Sequence, residues 1–191
     1  MNHLYYTAKF TFKSYYEIFN DNEYTNKIGE IKESSWLTET KAELNQSKYL
    51  FINNGIYLNK TNIFKLNKEN YKNEKIGEIT YNFWKSKANI ELYKQKYNFQ
   101  YTNNWNTKFE VISDIDKSKL LGGESKSLKG RVDILPKNAE LSDKLTFEND
   151  EISISQIQEI LALSLIYTNN MIIYYMLILI IMVISFVNIV T

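Results

Sequence analysis

The sequence predicts an all-β fold. About twelve short strands close into an antiparallel barrel built from repeated hairpin units, with a central hydrophobic helix, and a further apolar helix follows. Three observations predict this. The stretch KIGEI occurs twice, at Lys27–Ile31 and Lys75–Ile79, 48 residues apart. Aromatic residues are 15% of the 191, with 15 Tyr and 10 Phe, and these types suit a pleated, half-buried surface. Alternating runs recur about every 8–12 residues as far as Asp150, and only beyond it does the apolar period become helical.

The repeat comes first. With the chain laid over itself at a shift of 48, Lys27–Phe51 matches Lys75–Phe99 at 11 of 25 positions. Gly29/Gly77, Trp36/Trp84, Leu44/Leu92, Tyr49/Tyr97 and Phe51/Phe99 are among the identities. The likeness runs backwards, with Tyr16-x-Ile18 over Phe64-x-Leu66. A looser third copy follows. Phe109-x-Val111 precedes Leu121-Gly122, and Phe109 stands 13 residues before Gly122, as Tyr16 does before Gly29 and Phe64 before Gly77.

Each unit reads as a hairpin. A short alternating run (YYEIF or IFKL) is followed by a polar stretch of turn formers, and KIGEI returns as the second strand. A second pair follows: Trp36–Leu44 with Tyr49–Ile52, and Trp84–Leu92 with Tyr97–Tyr101. Glycine within a strand costs stability and marks a bulge or a close backbone approach. Gly29 and Gly77 are therefore expected to bend two equivalent quarter-turns of a curved sheet. Gly122 is expected at the matching place of the third copy, and Trp36 and Trp84 as core or cross-strand partners. Further strands are expected near residues 4–12, 108–113, 118–122, 128–134 and 144–148.

Beyond Asp150 the period changes. Ile154, Ile157, Leu161 and Leu165 follow helical spacing, which predicts a terminal helix over 152–168 that completes a barrel domain of residues 1–168. Met171–Val190 then runs 20 residues without a charge. At about 1.5 Å per residue it is about 30 Å long, the thickness of a hydrocarbon core. It is expected to cross a membrane as a C-terminal anchor at 171–190, with Tyr174 and Tyr175 near one interface. No signal peptide is visible before Lys9, so the body is expected on the cytoplasmic side. The competing expectation makes this helix part of a soluble core.

Charge divides the chain in the same way. Four of the 22 acids lie after Lys144 and no Lys or Arg does, so residues 1–144 carry 23 basic and 18 acidic groups. A net of +5 with acids interspersed is not a nucleic-acid stripe, and none is expected as a partner.

The pattern of a short aromatic strand, a polar turn and an Ile-Gly strand resembles the tubby C-terminal-like superfamily, and within it the LURP-one-related and phospholipid-scramblase-like proteins. YYEIFNDNEYTNKIGEI and IFKLNKENYKNEKIGEI carry the resemblance, KFEVISDIDKSKLLGGE more loosely, and SQIQEILALSLIY sits where that family has its last element. It covers roughly residues 4–168. It implies a closed antiparallel barrel threaded by one hydrophobic helix, and an association with membranes and lipid headgroups. No motif here matches the family's lipid-contacting residues, and the extra apolar segment departs from its simplest form.

Chemistry is sparse. There is no Cys, so thiolate nucleophiles and Cys-ligated metals are excluded. The one His, His3, lies beside the terminus, where disorder is the default. Gly122-Gly123-Glu124-Ser125-Lys126-Ser127 lacks P-loop spacing and reads as a hairpin turn. Asp114-x-Asp116 reads as a turn rather than a cation site. No catalytic, metal or cofactor residue is expected. Lys85, Lys87, Lys94 and Lys96 alternate with apolar residues in WKSKANIELYKQKY. They read as a solvated outer face, and in the sharper reading as a basic face toward anionic lipid. The functional expectation is a membrane-tethered, non-enzymatic barrel that binds or scaffolds at a membrane face, with anionic lipid or a protein as partner. The alternatives are a soluble tubby-like domain and a small hydrolase on an all-β scaffold.

Overall fold

The structure, a computed structural model, describes residues 3–10, 14–35, 38–54, 59–66, 73–82, 86–103, 107–126, 129–135, 144–147, 150–153, 155–169 and 171. Twelve strands form one closed antiparallel barrel. They are β1 (His3–Phe10), β2 (Ser14–Phe19), β3 (Lys27–Ser35), β4 (Glu39–Leu44), β5 (Ser47–Asn54), β6 (Lys60–Leu66), β7 (Asn73–Asn82), β8 (Lys87–Leu92), β9 (Gln95–Tyr101), β10 (Lys108–Ser113), β11 (Lys119–Lys126) and β12 (Lys129–Ile134). Each pairs with its neighbours in sequence, and β1 pairs with β12 to close the ring. A separate hairpin joins β13 (Lys144–Phe147) to β14 (Asp150–Ser153).

The repeat resolves into a threefold plan. Three strands carry one extra residue at the same place. Ile28 is extra in β3, because Ile18 pairs with Gly29 and Phe19 with Lys27. Ile76 is extra in β7, between the pairs Ile63–Gly77 and Phe64–Lys75. Leu120 is extra in β11, between Val111–Leu121 and Ile112–Lys119. Each bulge carbonyl accepts a backbone hydrogen bond from the next turn: Ile28 from Asn45 (3.1 Å), Ile76 from Tyr93 (2.9 Å) and Leu120 from Leu135 (3.0 Å). The units are β2–β5, β6–β9, and β10–β12 completed by β1. Each is a third of the barrel, not a quarter, and the chain's first strand supplies the last place of the third unit.

KIGEI is the bulge. The Lys folds over it onto the Glu three residues on, Lys27 to Glu30 at 2.7 Å and Lys75 to Glu78 at 3.0 Å. The first Ile is the extra residue. The Gly faces inward, and a Cβ there would lie 2.3 Å from the Glu43 carbonyl at Gly29 and 2.1 Å from that of Glu91 at Gly77. The second Ile, Ile31 or Ile79, is buried core.

In the third unit Leu121, not Gly122, takes the place of Gly29 and Gly77, since Leu121 pairs with Val111 and Ile134. The shared 13-residue step is a coincidence of loop length. The structural partners of Gly29, Gly77 and Leu121 are Ile18, Ile63 and Val111. The connection between the paired strands differs in length, so a fixed shift of 48 cannot extend backwards through it.

Alternation fills the interior. β4 buries Thr40, Ala42 and Leu44, and β8 buries Ala88, Ile90 and Leu92, every second residue in each. The helix α1 (residues 155–169) packs against this lining, and every residue from Ile160 to Asn169 is buried. It is about 22 Å long, close to the length of a seven-residue strand. Ser153 caps it. The Ser153 Oγ accepts from the Gln156 amide and the Gln156 Oε1 from the Ser153 amide, both at 3.2 Å. This reciprocal cap sets the start. The helix therefore begins after Ser153, and Ile152 and Ser153 belong to β14, not to the helix.

Among the described residues no helix is long and apolar enough to cross a membrane. The segment Met171–Val190, apart from Met171, lies outside the described residues, as do Trp36, Trp84 and Lys85.

Candidate functional site

The two ends of α1 meet opposite ends of the barrel. At its start the Asn45 Nδ2 donates to Glu159 (2.7 Å) and the Gln158 Nε2 to the Leu135 carbonyl (2.9 Å). Asn45 lies in the β4–β5 turn and Leu135 just past β12, so this end carries the bulges. Its described turns hold Asp21, Glu23, Lys94, Asp114, Asp116 and Lys117, and we refer to it as the polar end.

At the other end, where the chain leaves the barrel, the last turn of α1 is held on three walls. The Tyr167 hydroxyl donates to the Asn53 Oδ1 on β5 (2.7 Å), which also accepts from the Thr61 hydroxyl on β6 (2.5 Å). The Thr61 hydroxyl lies 3.1 Å from that of Tyr81 on β7. The Tyr101 hydroxyl on β9 donates to the Asn169 Oδ1 (2.5 Å), and the Asn169 Nδ2 reaches Ser125 on β11 at 3.4 Å. Tyr167 also stacks on Phe51, with ring centroids 4.8 Å apart. Met171, two residues past the clamped Asn169, is still buried.

These phenols are hydrogen-bonding groups, not bases. Burial pushes Tyr167 up to about 12, opposed by its hydrogen bonding with Thr61 and Asn53. Burial does the same to Tyr6, to about 12, and raises Tyr81, Tyr101 and Tyr16 further. All stay protonated near neutral pH. The site can fix a helix in place; it offers no activated oxygen.

On the outer wall, Tyr15 sits among Lys9, Lys27 and Lys32, whose nitrogens lie 6.0, 5.5 and 5.1 Å from its ring centroid. Glu30 answers them. Burial opposes its charge, but hydrogen bonds from Lys27, Lys32 and Tyr15 outweigh it and hold the carboxyl down at about 2. Glu17 joins it, taking Lys9 at 2.7 Å, so three lysines and two glutamates brace the first bulge from outside.

The lysines singled out in the sequence do not form one patch. Lys87 opens β8 opposite Gln100, whereas Lys94 is in the β8–β9 turn and Lys96 faces Glu91. The hairpin puts Lys87 roughly 13–16 Å from the other two, at the exit end. Lys94 and Lys96 belong to the polar end.

Other residues fall differently from their sequence reading. His3 is part of β1 rather than a loose terminus, with its Nδ1 2.8 Å from the Asp133 Oδ1. Gly122 and Gly123 lie within β11, not in a turn. Gly122 faces outward between Glu110 and Asp133. It floors an open groove of about 260 Å³ edged by Lys108, Lys119, Glu124 and Arg131. Arg131 is matched by Asp133 (2.8 Å) and Lys119 by Glu110 (3.3 Å), and Lys108 stands opposite Glu124 in the β10–β11 pairing. Asp114 and Asp116 make a turn. The carboxyl of Asp114 takes Lys117, and hydrogen bonds from Ser118 and Ser113 hold Asp116 down at about 2. Among the described residues no three His, Asp or Glu side chains converge as a metal site.

Comparison of the chain with protein-family models, curated proteins and solved structures gave no match.

Proposed function

We propose that this protein is a membrane-tethered, non-enzymatic barrel that binds or scaffolds at a membrane face. The observation that carries the reading is the clamp on the last turn of α1. Hydrogen bonds to β5, β9 and β11 fix where the chain leaves the barrel, and Met171 is buried at that point. The sequence that follows is the uncharged 20-residue stretch Met171–Val190. A rigid exit leading straight into a span-length apolar segment suits a body that is to be held at a set attitude over a bilayer. The interior is filled by α1, and its phenols are held protonated, which supports binding rather than turnover. The closed twelve-stranded barrel with its single helix is also the architecture that the tubby-like resemblance implies, and that kinship is part of the proposal.

The test is carbonate extraction of membranes from cells making the full chain or a chain ending at Asn170. Retention of the full chain in the pellet, with a soluble, folded truncation, is the expected outcome. Release of the full chain by carbonate overturns the reading.

A further inference from the structure

The barrel is polarised along the axis of α1. The described turns of the polar end hold four acids, Asp21, Glu23, Asp114 and Asp116, beside two lysines, Lys94 and Lys117. The exit end is different. Its described connecting residues, Thr38, Asn59, Ser86, Thr102, Asn103 and Thr107, are all uncharged. Four strands begin there with lysine: Lys60 in β6, Lys87 in β8, Lys108 in β10 and Lys129 in β12. Glu39, which opens β4, is the one described acid among the strand starts on that side. Lys60 leans on Glu78 at 2.8 Å and Lys129 covers the Tyr24 ring at 4.6 Å; Lys87 and Lys108 are exposed.

We infer that the exit end of the barrel lies against an anionic bilayer surface, with Lys87 and Lys108 toward the lipid phosphates and the polar end turned to solvent. This rests on the tethered reading and adds an attitude and a lipid class to it. The physical reason is charge: acids are repelled from a negative surface and lysines drawn to it, each worth about fivefold in population. The clamp supplies the geometry, because the last turn of α1 is held at the end where four strands open with lysine.

The experiment uses the full chain, which has no native Cys. A fluorophore is placed at Thr102→Cys (exit end) or Ile115→Cys (polar end, 71% exposed). Vesicles of phosphatidylcholine alone, or with phosphatidylserine, carry a headgroup quencher, and flotation is scored in parallel. The expected result is flotation on both vesicles and quenching at Thr102 well above that at Ile115. That quenching rises with phosphatidylserine and falls about fivefold in population for each of Lys87→Gln and Lys108→Gln. Equal quenching at the two sites, or none that depends on lipid charge, overturns the inference while the tether stands. Flotation on the anionic vesicles alone, with the same Thr102 preference, keeps the inference and overturns the tether. No flotation on either overturns both.

Discussion

The hydroxyl of Tyr167 donates to the Oδ1 of Asn53 across 2.7 Å, joining the last turn of the helix to a strand 114 residues earlier in the chain. The same oxygen takes the Thr61 hydroxyl at 2.5 Å, so one buried amide ties helix and wall together.

Removing the two partners should therefore have unequal effects. Tyr167→Phe loses one donor and keeps the ring stacked on Phe51; we expect a loss of about 1–1.5 kcal/mol in unfolding free energy. Asn53→Ala leaves two buried hydroxyls without their acceptor, and we expect about 2–4 kcal/mol. Urea denaturation of both variants checks the order. A smaller effect for Asn53→Ala than for Tyr167→Phe would show that the amide is not the hub.

The glycine of each KIGEI leaves no room for a methyl group. Gly77→Ala sets a Cβ 2.1 Å from the Glu91 carbonyl oxygen, and only a shift of β8 can relieve it. The expected loss is about 2–3 kcal/mol. Gly122→Ala, outward-facing and nearest to the flexible end of Lys119 at 3.0 Å, should cost far less. Thermal melts of the two variants side by side give the comparison; equal losses would remove the bulge from the explanation of the repeat.

The start of α1 hangs on one hydroxyl. Ser153→Ala breaks the reciprocal cap with Gln156 and should cost about 1 kcal/mol, with Ser153→Asp largely restoring it. Amide exchange at the first turn is the readout, and unchanged exchange in Ser153→Ala would rule out the cap as the determinant of the helix start.

Buried phenols set the alkaline limit. Tyr6 and Tyr167 hold their protons to about 12 in the fold, while an unfolded tyrosine releases its proton near 10. Between these values the unfolded chain binds fewer protons, so stability falls as pH rises. The contribution is complete below about 10 and lost by about 12, at most about 1.4 kcal/mol per pH unit for each group. On the acid side the sign is reversed. Glu30 is held at about 2 against an ordinary 4.5, so its contribution is present above about 4.5 and lost as pH falls toward 2. Tyrosinate absorbance followed with circular dichroism should show ionisation of these phenols only together with unfolding. Ionisation near pH 10 in the intact fold would contradict their burial.

Much of this was legible in the residues themselves. Alternation located the strands because a wall with one face buried forces side chains of like character two apart. KIGEI marked the bulges because a close backbone contact leaves no room for a Cβ, and this constraint is local. The helix start was legible too, in the Ser153-x-x-Gln156 spacing, although period alone placed it earlier. The third bulge was misplaced by one residue. There a leucine stands where the other units have glycine, so the letter that advertised the motif is missing.

What the sequence by itself determined is the list of barrel strands, the two matched bulges and the buried helix, because each depends on neighbours a few positions apart. Only the tertiary structure decided that β1 completes the third unit, that Lys87 parts company with Lys94 and Lys96, and that Tyr167 meets Asn53. These turn on which strand ends come together. In an antiparallel barrel every strand reverses direction, so one end gathers residues from half a dozen separate stretches of chain. No local pattern records that sorting, and the free energy that enforces it comes from closing the ring around the helix.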